Sequence, residues 1–112
     1  MVTAAQARKV ALSMPRAEEV EHHGHPDFRV NGKIFATLWP DQSSAVVKLP
    51  LADQAALVQT DPEAFSLNAW SYQGAITVHL KHIQLAQFRT VVQAAWRHVA
   101  PKRLVARVDN ES

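Results

Sequence analysis

Three side chains that commonly bind metals, His23, His25 and Asp27, occupy alternate positions in the first third of the chain. In an extended strand, alternate side chains project from the same face, so this spacing would present two imidazoles and a carboxylate to one divalent transition metal. Gly24 and Pro26 interrupt such a strand, and a turn with exposed imidazoles is the simpler interpretation. We therefore predict neither a metal site nor another cofactor.

Residues suited to hydrolytic catalysis are present, but their spacing does not match a catalytic motif. No serine lies in a Gly-x-Ser-x-Gly turn, and the acidic pairs Glu18–Glu19 and Asp61–Glu63 fall at a predicted strand entry and a predicted turn. The three glycines are isolated, so no glycine-rich loop can surround a phosphate. The absence of cysteine excludes disulfides, thiolate catalysis and sulfur-ligated metal centres. The sequence predicts a protein that is not an enzyme.

Positive charge is concentrated in the last third of the chain. Residues 1–63 carry six Lys/Arg against eight Asp/Glu, whereas residues 64–108 carry six Lys/Arg and no acid. A surface of one sign attracts partners of the opposite sign, including the phosphates of nucleic acid. The residues that we predict to bind nucleic acid are Lys81, Arg89, Arg97, Lys102, Arg103 and Arg107.

That binding should be weak, salt-dependent and tolerant of sequence. No predicted helix carries the dense set of Arg, Asn and Gln that reads base edges, so contacts to the phosphate backbone would dominate. A simpler alternative is that these cations only keep the last helix soluble and complement its dipole.

A β-hairpin is the strongest local structural signal. Asn31-Gly32 readily adopts the positive φ angles of a type I′ turn, and the flanking residues alternate as in strands. A two-residue loop would place Phe28 opposite Phe35. One side would then carry Phe28, Val30, Phe35, Thr37 and Trp39, and the other Arg29, Ile34, Ala36 and Leu38.

Because both sides of this ribbon are apolar, either two layers cover it or one side is an association surface. The second possibility predicts an adaptor or chaperone-like module with a protein partner. Among the aromatic residues, Phe28, Phe35, Phe88 and Trp96 are expected in the core. Trp39, Trp70 and Tyr72 lie near strand ends or in an irregular segment, where they would pack, stack on bases or anchor a partner.

Helix signals complete the predicted order of elements, which is α-β-β-β-β-α-β-α. A Thr3-x-x-Gln6 capping box begins the first helix and Pro15 ends it, the second begins at Pro50, and the third runs from about Gln84 to Pro101. Grouped strands favour an α+β two-layer sandwich with an antiparallel sheet.

Length and composition indicate one globular domain. The chain has 112 residues, of which 47% are hydrophobic and 20% charged. We assign residues 1–108 to this domain and 109–112 to a short tail. No apolar run can span a bilayer and no signal peptide precedes the first helix, so a cytoplasmic protein without a membrane partner is expected.

Two segments resemble the MmcQ/YjbR family of small bacterial proteins. They are the hairpin segment from Gly24 to Leu38, with Gly-His-Pro-Asp-Phe-Arg-Val-Asn-Gly-Lys at its start, and the downstream Ala95-Trp96 and Ala100-Pro101-Lys102-Arg103-Leu104. The resemblance implies a two-layer sandwich similar to type III secretion chaperones and the frataxin/CyaY-like group. It also implies DNA binding, the label that members often carry, without implying a role for any particular residue. One departure is Gly74-Ala75, where members often have Gly-Trp.

Overall fold

The structure, a computed structural model, describes residues 1–111 apart from the side chain of His22. Six strands form one sheet in the order β1-β2-β3-β4-β6-β5, and every neighbouring pair is antiparallel. This is the predicted α+β fold. The elements are α1 (Ala4–Leu12), β1 (Glu18–His22), β2 (His25–Val30), β3 (Lys33–Trp39), β4 (Ser44–Lys48), α2 (Leu51–Thr60), β5 (Phe65–Ser66), β6 (Ala75–His79), α3 (Leu85–Val99) and α4 (Lys102–Glu111).

The first helix begins with the predicted capping box. The Thr3 hydroxyl accepts a hydrogen bond from the Gln6 backbone N–H at 3.1 Å, and the Gln6 side chain accepts one from the Thr3 N–H at 2.9 Å. At the other end, the Trp96 indole N–H donates to the Pro15 carbonyl at 2.9 Å. This bond ties α3 to the segment that leaves α1.

Helices α1 and α3 pack on β3, and α3 also packs on β4, so the core lies between these helices and one face of the sheet. Each of the four aromatic residues expected in the core is at most 2% exposed; the four are Phe28, Phe35, Phe88 and Trp96. Phe65 is also buried in this core. Within the described residues, no helix is long and apolar enough to span a bilayer.

A β-bulge changes the predicted faces of the hairpin. Next to the turn, Arg29 pairs with Ile34 as predicted, but Phe28 then pairs with Ala36, so Phe35 is an extra residue on β3. Because side chains alternate along a strand, one extra residue moves every side chain that follows it to the opposite face of the sheet. The assignment of Thr37 and Trp39 to the Phe28 side was therefore wrong.

After the bulge, Ala36 and Leu38 enter the core beside Phe35, at 5% and 3% exposure. Thr37 and Trp39 instead share the opposite face with Ile34. The ribbon is thus covered by helices on one face, while its other face lines a pocket at the surface.

Two elements were not predicted. The first is the two-residue strand β5, which pairs with β6. The second is α4, whose helix continues through Glu111, so residues 109–111 form a last helical turn rather than a tail. Residue 112 lies outside the described residues. Leu104 is the buried residue of α4, and Val105 and Val108 pack partly on the core, which explains why this basic segment is helical.

Helix α2 buries a polar side chain and leaves apolar side chains exposed. Leu51 is 57% exposed and Ala55 is exposed, whereas Gln54 is fully buried. The Gln54 amide donates hydrogen bonds to the Leu49 carbonyl at 2.8 Å and to the Ser71 carbonyl at 3.1 Å. Gln54 therefore anchors a single-turn 3₁₀ helix, Ser71–Gln73, that precedes β6.

Candidate functional site

A basic cleft of about 580 Å³ lies where the α1–β1 turn, the end of the β2–β3 hairpin and α4 come together. Three arginines line it, Arg16 from the turn and Arg103 and Arg107 from α4. Glu18 at the start of β1 is the one carboxylate among its lining residues, and Asn31 of the hairpin turn is a further polar member. We call this set of residues the basic cleft.

Each arginine reaches the cleft for a local structural reason. Arg103 and Arg107 are four residues apart and therefore project from the same side of α4, while Leu104 is buried. Arg16 has φ of 55°, a left-handed conformation that reverses the chain between α1 and β1. Among the described residues, none of the three forms an ion pair within 4.0 Å.

A second groove, of about 320 Å³, contains two other predicted nucleic-acid-binding residues, Arg89 and Arg97 of α3. Arg97 donates two hydrogen bonds to the Asp109 carboxylate, at 2.7 and 2.9 Å. These bonds raise the pKa of Arg97 and lower the pKa of Asp109. The positive charge of Arg97 is thereby matched by a carboxylate of α4.

The remaining predicted cations lie outside both lining sets. Lys81 is in a 3₁₀ turn, Leu80–His82, that follows β6, and Lys102 is the first residue of α4. Both are exposed. The structure thus brings Arg103 and Arg107 together and separates them from the Arg89–Arg97 groove. Sequence reasoning missed Arg16, because a lone arginine in a turn carries no periodic signal.

A third cavity, of about 370 Å³, opens on the sheet face opposite α1 and α3. Its walls include Trp39, half-buried at the end of β3, and Trp70, 55% exposed before the 3₁₀ turn. Asp27 and Lys48 contribute a carboxylate and an ammonium group. We call this cavity the sheet-face pocket. Tyr72, the other unassigned aromatic residue, is 72% exposed and is not among the pocket's lining residues.

The three side chains weighed as metal ligands, His23, His25 and Asp27, do not form one set. His23 and Gly24 have φ of 51° and 84° and make the turn between β1 and β2, so His23 is separated from the strand that carries His25 and Asp27. The His25 ring lies against Trp39, with 3.8 Å between centroids and 36° between the ring planes, and its Nδ1 lies 3.6 Å from Asp27 Oδ1. In the described part of the chain, no group of three metal-ligating side chains is close enough to hold an ion.

A serine–histidine contact appears only in the structure. Ser66 Oγ and His79 Nε2 are 2.8 Å apart across β5 and β6. A nucleophile and base pair of this kind also needs a group that orients the histidine. Among the described residues, no carboxylate hydrogen-bonds the other ring nitrogen. The contact joins β5 to β6, which are also paired through their backbones.

The departure at Gly74-Ala75 is accommodated in the same region. Gly74 has φ of 90° after the 3₁₀ turn, and its carbonyl accepts a hydrogen bond from the Leu49 N–H at 2.9 Å. Ala75 is buried and begins β6. The loop thus joins β6 to the end of β4 without a tryptophan at this position.

Comparisons with known proteins agree with this architecture. A sequence model of the YjbR family matches residues 12–98. The crystal structure of the Deinococcus radiodurans protein DR2400, described as a DUF419 domain, superposes with a TM-score of 0.78 at 17% identity. That alignment covers 91% of this chain and 81% of the other. No curated protein matches the sequence.

Proposed function

This chain belongs to the YjbR family, and we propose that it binds nucleic acid, weakly and without strong sequence preference, through the basic cleft. The observation that carries the proposal is the convergence of Arg16, Arg103 and Arg107 around one cavity with a single lining carboxylate, Glu18. Arginine is suited to phosphate because its planar guanidinium donates two parallel hydrogen bonds.

The surroundings of the cleft favour a phosphate backbone over a protein carboxylate. Helix α4 begins beside it, since both Pro101 and Arg103 line the cavity, and the free N–H groups of a helix N-terminus attract anions. Lys102, adjacent to Arg103 and exposed, extends the positive charge beyond the cavity. An extended polyanion would contact this whole region, whereas one carboxylate would occupy only part of it.

The cleft also supports low selectivity for base sequence. Its lining residues are three arginines, one asparagine, one glutamate and otherwise apolar side chains, and no helix presents a row of amides toward it. Contacts of this type position a duplex but do not read it. We accordingly propose a binding role, not a catalytic one.

The test is fluorescence anisotropy of a labelled 20-base-pair duplex at 50 mM salt. The double variant Arg103→Gln/Arg107→Gln should bind more weakly by about tenfold for each arginine removed, because each phosphate contact releases a counterion. Lys81→Gln/Arg89→Gln is the matched control, since it also removes two exposed cations and neither of them lines the basic cleft. Equal losses in both variants, or no binding by the wild type, would refute the basic cleft as the site.

A second candidate function is the adaptor role, which the uncovered sheet face supports. Two exposed apolar residues lie on that face: Trp70 lines the sheet-face pocket, and Val20 of β1 pairs with Asp27. Aromatic side chains that become buried on association dominate many protein interfaces, and an exposed tryptophan such as Trp70 is suited to that role. Sedimentation that detects self-association abolished by Trp70→Ser would support this role over nucleic-acid binding.

A further inference from the structure

Asp27 is the most unusual polar residue outside the basic cleft. Its side chain is only 3% exposed, yet it lines the sheet-face pocket. Arg29 Nη2 and His25 Nδ1 approach its two carboxylate oxygens, each at 3.6 Å. Both distances exceed those of good hydrogen bonds. Among the described side chains, none donates a hydrogen bond within ordinary distance to this carboxylate, so a pocket-lining residue keeps acceptor capacity.

Burial makes this acceptor capacity significant. A carboxylate removed from water loses solvation unless hydrogen bonds replace it, so a ligand with N–H donors would be stabilised there more than at the surface. An ionised carboxylate only accepts, and its two oxygens match two adjacent parallel donors. The pocket thus favours a ligand edge with two neighbouring N–H groups.

The rest of the lining favours a flat ligand. Most of the surface that lines the pocket is apolar, and two indoles, Trp39 and Trp70, are available for stacking. Trp39 is already in contact with the tilted His25 ring, 3.8 Å away between centroids. Aromatic side chains on a sheet are a recurrent means of binding unpaired bases, because every base has a flat π face.

Charge provides the third constraint. The register pairs Asp27 on β2 with Thr37 on β3 and Thr37 with Val46 on β4, so Lys48 lies two strands across from Asp27 and two residues further along. Two strand spacings and two residues of rise place their backbones roughly 12 Å apart. That span is comparable to the distance from the amino edge of a purine to the phosphate of its 5′-nucleotide. Arg29 compensates the charge of Asp27, which leaves Lys48 available for an anion.

We propose that the sheet-face pocket binds a guanine nucleotide, with the guanine N1–H and 2-amino groups donating to Asp27, the base stacked on Trp39 and Trp70, and the phosphate paired with Lys48. Guanine is the common base that offers two adjacent N–H donors on one edge. The guanine would come either from a free nucleotide or from an unpaired base of a nucleic-acid strand. The second source rests on the proposed nucleic-acid function, whereas the first does not.

The primary experiment is a tryptophan-fluorescence titration with guanosine 5′-monophosphate (GMP). We expect saturable quenching, because two of the three tryptophans line the pocket while Trp96 is buried. Inosine 5′-monophosphate, which lacks the 2-amino group, should bind several-fold more weakly, and uridine 5′-monophosphate more weakly still. Equal quenching by all three nucleotides, or none by GMP, would overturn the proposal.

The Asp27→Asn variant should change which purine nucleotide the pocket prefers. Asparagine presents one donor and one acceptor, so affinity for GMP should fall about tenfold to a hundredfold. Affinity for xanthosine 5′-monophosphate should rise, because xanthine carries a carbonyl where guanine carries the amino group. Binding of the xanthine nucleotide also proves that the variant is folded. Retention of the wild-type preference for GMP would overturn the assignment of Asp27.

Lys48→Gln is the second variant. The Lys48 side chain is partly exposed, whereas that of Asp27 is buried. The substitution should lower the affinity for GMP to that for guanosine while leaving guanosine binding unchanged. If GMP still bound more tightly than guanosine, the phosphate would not lie at Lys48 and the proposed orientation would be wrong.

Oligonucleotides distinguish the two sources and separate this proposal from the basic cleft. A single-stranded T-rich pentamer with a central guanine should bind better than the all-thymine pentamer if strand guanines are ligands. Asp27→Asn should leave duplex binding unchanged, whereas Arg103→Gln/Arg107→Gln should leave GMP binding unchanged. GMP binding without duplex binding would refute the cleft alone, and the reverse would refute the pocket alone.

Discussion

Arg16→Asn tests whether a residue that no periodic pattern predicts contributes to nucleic-acid binding. The substitution removes one of three cations from the basic cleft. Arg16 has φ of 55°, and asparagine adopts this left-handed conformation more readily than other residues with a β-carbon. We therefore expect the variant to fold with an unchanged or slightly higher melting temperature.

The magnitude follows from the number of arginines in the cleft. If each neutralises one phosphate, the slope of log K against log salt is about −2.7 for the wild type and about −1.8 for the variant. Between 50 and 200 mM salt, wild-type affinity should then fall about 40-fold and that of the variant about 12-fold. The difference in slope depends only on the contact that is removed.

Anisotropy titrations of one duplex at four or more salt concentrations measure this slope, and thermal unfolding by circular dichroism measures stability. Lys9→Gln is the matched control, because Lys9 is an exposed cation in the last turn of α1 and does not line the cleft. A slope unchanged in Arg16→Asn would refute the contact. An equal change in Lys9→Gln would show that overall charge, not the cleft, determines binding.

Two further predictions concern the fold around the sites. Gln54→Leu should destabilise the protein by about 2 kcal/mol in urea unfolding, because the Leu49 and Ser71 carbonyls lose their buried donor, whereas Gln59→Leu on the exposed side of α2 should change stability little. Asp109→Asn should lower the melting temperature near pH 7. Because Arg97 lowers the pKa of Asp109, its contribution is present above the ordinary pKa of 3.8 and is lost as pH falls through the lowered value. Wild type and Asp109→Asn should therefore converge in acid, and a constant difference down to pH 2 would contradict the ion pair.

Local sequence determined much of the backbone. The Thr3 capping box and the Asn31-Gly32 turn depend on residues within four positions of one another, and both form as predicted. The second helix was predicted to begin at Pro50 and begins one residue later, with Pro50 as its N-cap. Short-range hydrogen bonds and dihedral preferences set these features without help from the rest of the chain. Buried aromatic residues such as Phe88 and Trp96 follow from helical periodicity in the same way.

Tertiary packing decided the rest. The bulge at Phe35 places both Phe35 and Ala36 in the core, and this reverses Trp39 onto the face where the sheet-face pocket forms. No local rule specifies this extra residue, because the bulge depends on how Phe35 and Ala36 pack in the core beneath α3.

The basic cleft depends on packing over a longer range. Arg16 meets Arg103 and Arg107 only because α4 returns to the turn after α1, and these segments lie near opposite ends of the chain. The sequence alone determined that the last third is basic and how its helices begin and end. Which of those cations share a surface was decided by the packing of distant elements, since electrostatic contact depends on distance in space and not on distance along the chain.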